Sequence, residues 1–105
     1  MIVVIFEVQP HPEGAPRYFD IAEQLRPELE KQDGFISIER FESLGAPGRF
    51  VSISFWRDEA AVAAWRGHSG HGEAQALGKN ELFADYRITV AEALRVYGPK
   101  GPLPM

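Results

Sequence analysis

Cysteine is missing altogether from the 105 residues. That excludes disulfide staples, thiolate nucleophiles and thiolate metal ligands, and is compatible with the reducing cytoplasm where the chain is expected. Long apolar runs are missing too. No stretch approaches the ~20 residues of a membrane helix. The opening Met-Ile-Val-Val-Ile-Phe-Glu-Val is too short for a signal-peptide core and lacks a basic flank, so it reads as a strand. Runs of Lys or Arg are absent, and 11 basic against 15 acidic residues give a net charge of −4. A nucleic-acid footprint is therefore not expected, nor a membrane one. No Gly-rich phosphate loop, dinucleotide fingerprint or Ser-His-Asp motif is present, and no internal repeat.

What remains is a chain suited to one domain. A chain this small buries only roughly 65% of its surface, so help from a second subunit is plausible on size alone. Aromatic residues make up 11%, including two Trp, which hints at a lined pocket or a large interface.

Ile2 to Val8 is apolar at nearly every position, so both faces of this strand need cover. Gln9 to Pro16 is a loop, with Pro16 suited to a first helical turn. Phe19, Ala22, Leu25 and Leu29 then share a helical stripe, with Ile21 beside it. Pro27 inside the stripe predicts a kink or tightened last turns. Asp33-Gly34 is the stop, with Gly34 as a left-handed cap.

Phe35 to Ser43 reads as the second strand, and Leu44 to Gly48 as a hairpin connection. Phe50 to Trp56 is the third strand. It carries Val51, Ile53 and Phe55 on one face and Phe50, Ser52, Ser54 and Trp56 on the other. Asp58 is a good N-cap. Val62 and Trp65 share the next helix face, Gly67 ends that helix, and Ser69 caps a second short one bearing Ala74 and Leu77. Tyr86 to Tyr97 reads as the last strand, twice the usual five or six residues. The expected domain is 1–98, with 99–105 as a flexible tail.

The order β-α-β-β-α-β is the ferredoxin-like arrangement, an α+β fold with helices on one face of a four-stranded antiparallel sheet. Strands 1 and 3 are apolar on both sides, and no element is left to cover the second face. A second copy covers it, and two facing sheets with a long last strand form a dimeric α+β barrel.

The densest cluster of unusual side chains is Trp65-Arg66-Gly67-His68-Ser69-Gly70-His71. Trp65 offers a stacking surface, and His68 or His71 can move a proton near neutral pH. The plain alternatives are a core Trp65 and a His68 that favours a helix C-terminus. His68 and His71 lie three apart, but the glycines break a continuous helix and no third ligand follows, so no metal is expected. Ser52 and Ser54 share a face with Trp56. Arg40 and Arg87 sit on strands, where each needs a carboxylate or a ligand anion. The plain alternative is an ion pair with Glu39, Glu42 or Glu92.

Asp33 to Phe41, Ser52 to Glu59, Trp65 to His71 and Phe83 to Arg87 together resemble the antibiotic biosynthesis monooxygenase family, over Met1 to about Gly98. The resemblance implies a homodimeric barrel with a pocket in each subunit between sheet and helices. It also implies cofactor-free oxidation of a small aromatic or quinol-type phenol whose deprotonated form passes an electron to oxygen. Trp65 matches the helix tryptophan of the family pocket, Arg87 a strand-4 arginine near substrate, and His68 and His71 a histidine-rich stretch. Haem degradation is disfavoured, because Phe6 and Glu7 stand near the strand-1 asparagine of that branch and Ala74-Gln75-Ala76 near its iron-ligating histidine.

The expected site is therefore His68, His71, Trp65 and Arg87 for chemistry, with Phe55, Trp56, Ser54 and Arg40 completing substrate contact around Trp65. The other reading is a non-catalytic dimer that binds a small molecule or another protein. Light scattering at micromolar concentration tests the dimer. The expected mass is twice the 11.7 kDa of one chain, and Ile5→Asp should separate or unfold the subunits; a stable folded monomer would contradict the barrel.

Overall fold

The computed structural model describes residues 1–68 and 82–102. Its elements run β1 (Ile2–Pro10), α1 (Ala15–Glu30), β2 (Phe35–Glu42), β3 (Phe50–Trp56), α2 (Glu59–Arg66), β4 (Phe83–Glu92), β5 (Tyr97–Gly98) and β6 (Gly101–Pro102). The first four strands in the order β2-β3-β1-β4 make one sheet, antiparallel throughout. This is the α+β, ferredoxin-like βαββαβ fold. No helix among the described residues is long and apolar enough to cross a membrane.

β1 lies at the centre, bonded on one edge to β3 and on the other to β4. Its register against β4 shifts between Gln9 and Pro10, where proline has no N–H to give the ladder. The loop that follows is tied down, with His11 N–H donating to the Leu82 carbonyl at 2.8 Å.

α1 begins with Pro16 in its first turn and continues past Pro27 to Glu30, so Pro27 does not end the helix. The proline forgoes one backbone bond only, three residues before the helix ends. Its cap is Lys31. Gly34 is left-handed as expected, at φ +87°, but in the turn after the cap, where its carbonyl accepts from Arg57 N–H at 2.7 Å.

The β2–β3 connection places Leu44 in solvent, and a bulge between Phe35 and Ser37 turns Ile36 outward. Asp58 caps α2, accepting from Ala61 N–H at 2.9 Å. That bond and the Arg57 guanidinium hold the Asp58 carboxyl below its ordinary range. Gly67 ends α2. The short helix expected from Ser69, with Ala74 and Leu77, lies outside the described residues.

β4 starts at Phe83 and stops at Glu92, not Tyr97. The reason is its partner. Glu92 pairs with Ile2, Ala93 N–H donates to the Met1 carbonyl at 2.9 Å, and there β1 runs out. Leu94 and Val96 fall beyond the ladder, and Tyr97–Gly98 pair with Gly101–Pro102 in a small hairpin.

Side-chain parity sorts the sheet into two faces. Ile2, Val4, Phe6 and Val8 of β1 align with Trp56, Ser54, Ser52 and Phe50 of β3 on the helix side. There Leu29, Trp56, Ala61 and Trp65 form the buried core, with Ile2, Val4, Phe35 and Ile38 packed against it. Val3, Ile5, Val51, Ile53 and Phe55 alternate to the other face, away from α1 and α2. The overall extents, 42 × 34 × 20 Å, fit one helix layer of about 10 Å on one sheet.

At Gly34 a side chain would meet the Ala61 Cβ at 2.5 Å. Gly34→Ala is therefore expected to cost roughly 2–3 kcal/mol, combining left-handed strain with overlap. Urea unfolding followed by far-ultraviolet circular dichroism measures this, and a loss under about 0.5 kcal/mol, the ordinary surface value, would contradict it.

Candidate active site

A cavity of about 540 Å³ lies between the helix-side face of the sheet and the two helices. α1 supplies one wall through Tyr18, Ala22, Leu25 and Leu29, spaced to fall on one helical stripe. Trp56 and Trp65 close one end. At the β4 side Phe6, Phe83 and Tyr86 form an aromatic cluster, with ring centroids 5.7 to 6.3 Å apart. Tyr18 meets Phe83 edge-on at 5.4 Å.

The floor is polar at two points. Ser52 and Ser54 are 9% and 7% exposed, and both line the cavity. Trp56 Nε1–H donates to Ser54 Oγ at 2.9 Å. A hydroxyl that accepts in this way still has its own proton to donate. Among the described residues no side chain or backbone group hydrogen-bonds the Ser52 hydroxyl. A buried hydroxyl in that condition needs a water or a ligand.

Arg40 stands opposite Ser52 in the β2–β3 ladder and also lines the cavity. Its guanidinium carbon lies 5.3 Å from the Tyr18 ring centre and 5.4 Å from that of Phe19, a cation–π arrangement. The expected ion pair with Glu39, Glu42 or Glu92 is not made. Glu42 instead accepts from Gly48 N–H at 3.1 Å.

Trp65, Trp56, Ser54 and Arg40 thus converge on one cavity. Trp65 is at once core and cavity wall, 7% exposed and packed with Leu29, Trp56 and Ala61. The His68 ring lies 4.9 Å from the Trp65 ring, and its Nε2 is 3.8 Å from Glu28 Oε2. It sits behind Trp65 and is not one of the cavity-lining side chains. His71 lies outside the described residues.

Phe55 and Arg87 are placed elsewhere. Strand parity puts both on the face away from the helices. Arg87 Nε donates to Glu7 Oε2 at 2.6 Å, and Arg49 approaches Glu7 and Asp85 at 4.0 and 3.9 Å. The hydrogen bond from Arg87 holds the Glu7 carboxyl below its ordinary range, and that carboxylate in turn raises the Arg87 guanidinium. Arg87 does make an ion pair, but with Glu7 and not with the expected Glu39, Glu42 or Glu92. Among the described residues no three His, Asp or Glu side chains are placed to hold a metal.

The comparisons with known proteins agree with this architecture. A family model described as antibiotic biosynthesis monooxygenase matches residues 1–77. A jasmonate monooxygenase of Pyricularia oryzae is 44% identical over 92 residues, covering 88% of this chain and 43% of that protein. The chain thus spans less than half the length of that relative. An uncharacterized Bacillus subtilis protein, YqjZ, is 30% identical over 78 residues, covering 74% of this chain and 67% of its own. The solved structure of Rv0793 from Mycobacterium tuberculosis superposes with a TM-score of 0.82 at 21% identity, covering 92% of this chain and 98% of that one.

Ser54→Ala removes the acceptor of a buried indole N–H. It should cost about 1–3 kcal/mol in urea unfolding, while Ser54→Thr, which keeps the hydroxyl, recovers part of this. Equal stability of Ser54→Ala and the parent would contradict the assignment.

Proposed function

We propose that this chain, which belongs to the antibiotic biosynthesis monooxygenase family, oxidises a small enolisable aromatic or quinol-type ring in its cavity without a bound cofactor. One observation carries the reading: an apolar, aromatic-walled cavity whose floor presents two buried serine hydroxyls. Such a site gives a ring aromatic and aliphatic walls to lie against and leaves donors where an oxyanion develops.

On an anthrone-type ring the chemistry balances as one ring methylene and one dioxygen giving one ring carbonyl and one water. A proton leaves the activated carbon, and the enolate oxygen takes hydrogen bonds from Ser52 and Ser54. The electron-rich ring passes an electron to oxygen, and the two radicals join in a carbon–oxygen bond. The peroxide so formed takes up the first proton. The hydroperoxide then breaks at its O–O bond as the second hydrogen of the methylene leaves as a proton, giving the carbonyl and water. Trp65 serves as a flat wall for the ring. His68 lies against Trp65 but outside the cavity lining, so its proposed part is to receive the first proton by relay; His71 is proposed for the same role from outside the described residues. The Pyricularia relative, named a jasmonate monooxygenase, supports oxygenation of a small molecule as the reaction class.

The working unit is a homodimer. Val3, Ile5, Val51, Ile53 and Phe55 form the apolar centre of the sheet face away from the helices, and the Glu7, Arg87, Arg49 and Asp85 cluster lies at one end of it. An apolar centre with charges at the margin is the ordinary anatomy of an interface. The competing reading is a dimer that binds a small molecule without turning it over. It rests on the position of His68 outside the cavity lining.

Oxygen uptake with a panel of anthrones and hydroquinones decides between them. Turnover above buffer is expected, and it should survive dialysis against chelator. Ser52→Ala should lower kcat/KM about 100-fold, the usual cost of losing one oxyanion donor, with the fold intact by circular dichroism. Binding without oxygen uptake would assign the non-catalytic reading.

A further inference from the structure

Enolate stabilisation by Ser52 and Ser54 leaves Arg40 without a task. Its position is specific. It lines the cavity beside Ser52, and its guanidinium lies over Tyr18 and Phe19. Stacking of this kind fixes the plane of the group and leaves its N–H fork directed outward from the edge. Four other arginines face carboxylates: Arg26 with Glu30, Arg49 with Glu7 and Asp85, Arg57 with Asp33 and Asp58, and Arg87 with Glu7. Arg17 and Arg95 make no ion pair among the described residues, but neither lines the cavity. Arg40 has no carboxylate partner among the described residues.

This is not for want of carboxylates in a chain with 15 of them. Glu39 alternates to the opposite side of its strand from Arg40, and although it and Glu23 of α1 also line the cavity, neither makes an ion pair with Arg40 among the described residues. Glu42 shares the Arg40 face but is tethered to Gly48 N–H. Arg66 also lines the cavity, yet its place in the last turn of α2 is accounted for by the helix C-terminus, where a cation is favoured.

We propose that Arg40 is a specificity-determining residue that binds a carboxylate borne by the substrate, away from the ring that reacts at Ser52 and Ser54. The substrate class is thus an amphipathic organic acid: an apolar ring against the Trp65 and Leu29 side, and an anionic arm at the β2 edge. A bidentate guanidinium–carboxylate contact, strengthened by the apolar walls, supplies both affinity and orientation. A neutral ring of the same shape leaves the Arg40 fork unmatched. The inference rests on the cavity being the substrate site, and not on oxygen chemistry.

Isothermal titration with 1-naphthylacetate and its uncharged amide, 1-naphthylacetamide, tests it at neutral pH and low salt. The unsubstituted protein should bind the acid at least about tenfold more tightly than the amide. Arg40→Gln should bring the two within roughly twofold, chiefly by weakening the acid. Arg40→Lys should recover only part of the preference, because an ammonium lacks the planar fork. Equal binding of acid and amide by the unsubstituted protein, binding of neither, or a preference that survives Arg40→Gln would each overturn the proposal. The two readings fail separately. Acid preference without oxygen uptake on any ring overturns only the monooxygenase reading; turnover of neutral and anionic rings with equal kcat/KM overturns only the role of Arg40.

Discussion

Hydrogen bonding of β1 along both edges is the constraint from which the rest follows. Its register against β3 sets Val4 and Phe6 beside Ser54 and Ser52, and its register against β4 brings Val90 and Ile88 to the same rows. The cavity floor is therefore assembled across strands that are far apart in sequence. Because side chains alternate with a period of two, a slip by one residue would send the serines and Trp56 to the opposite face and bring Ile53 and Phe55 to the helices. The apolar content of β1 on both sides tolerates no other solution than cover on both faces. One face receives α1 and α2, and the other is the face proposed for a second copy.

Within that frame the polar groups are few and each is bound to a particular use. Ser54 orders the Trp56 indole while keeping a proton to give. Glu42 is drawn into the β2–β3 turn, which leaves Arg40 to the aromatic rings of α1. The Glu7–Arg87 pair stays on the far side of the sheet. Two arginines on strands of one sheet can thus serve wholly different surfaces, depending only on parity.

Much of this is legible in the sequence because it is local. The alternation Phe50-Val51-Ser52-Ile53-Ser54-Phe55-Trp56 sorts both faces of β3 without any knowledge of partners. The same alternation separates Phe55 from Trp56, so naming both as substrate contacts sets it aside. Asp58 announces a helix start by its own side-chain chemistry, and Gly34 a left-handed turn by its lack of one. What escapes is non-local. The end of β4 is decided by where β1 begins, and nothing in Leu94-Arg95-Val96 marks that. Likeness to a family position places Arg87 near substrate, whereas its face follows from pairing with Glu7, 80 residues earlier. Tyr18 belongs to the stripe Tyr18, Ala22, Leu25, Leu29, but Phe19 beside it draws the stripe one residue off. Pro27 reads as a breaker by residue type, although a proline so near a helix end sacrifices little.

Both tryptophans of the chain, Trp56 and Trp65, stand on the wall of the cavity between sheet and helices, and the Trp56 indole N–H is engaged inside the protein rather than by solvent. The indole emission of the molecule therefore originates entirely at the candidate site. With no distant tryptophan to contribute background, the colour and intensity of that emission report directly on what fills the cavity, and the protein carries its own optical probe of occupancy.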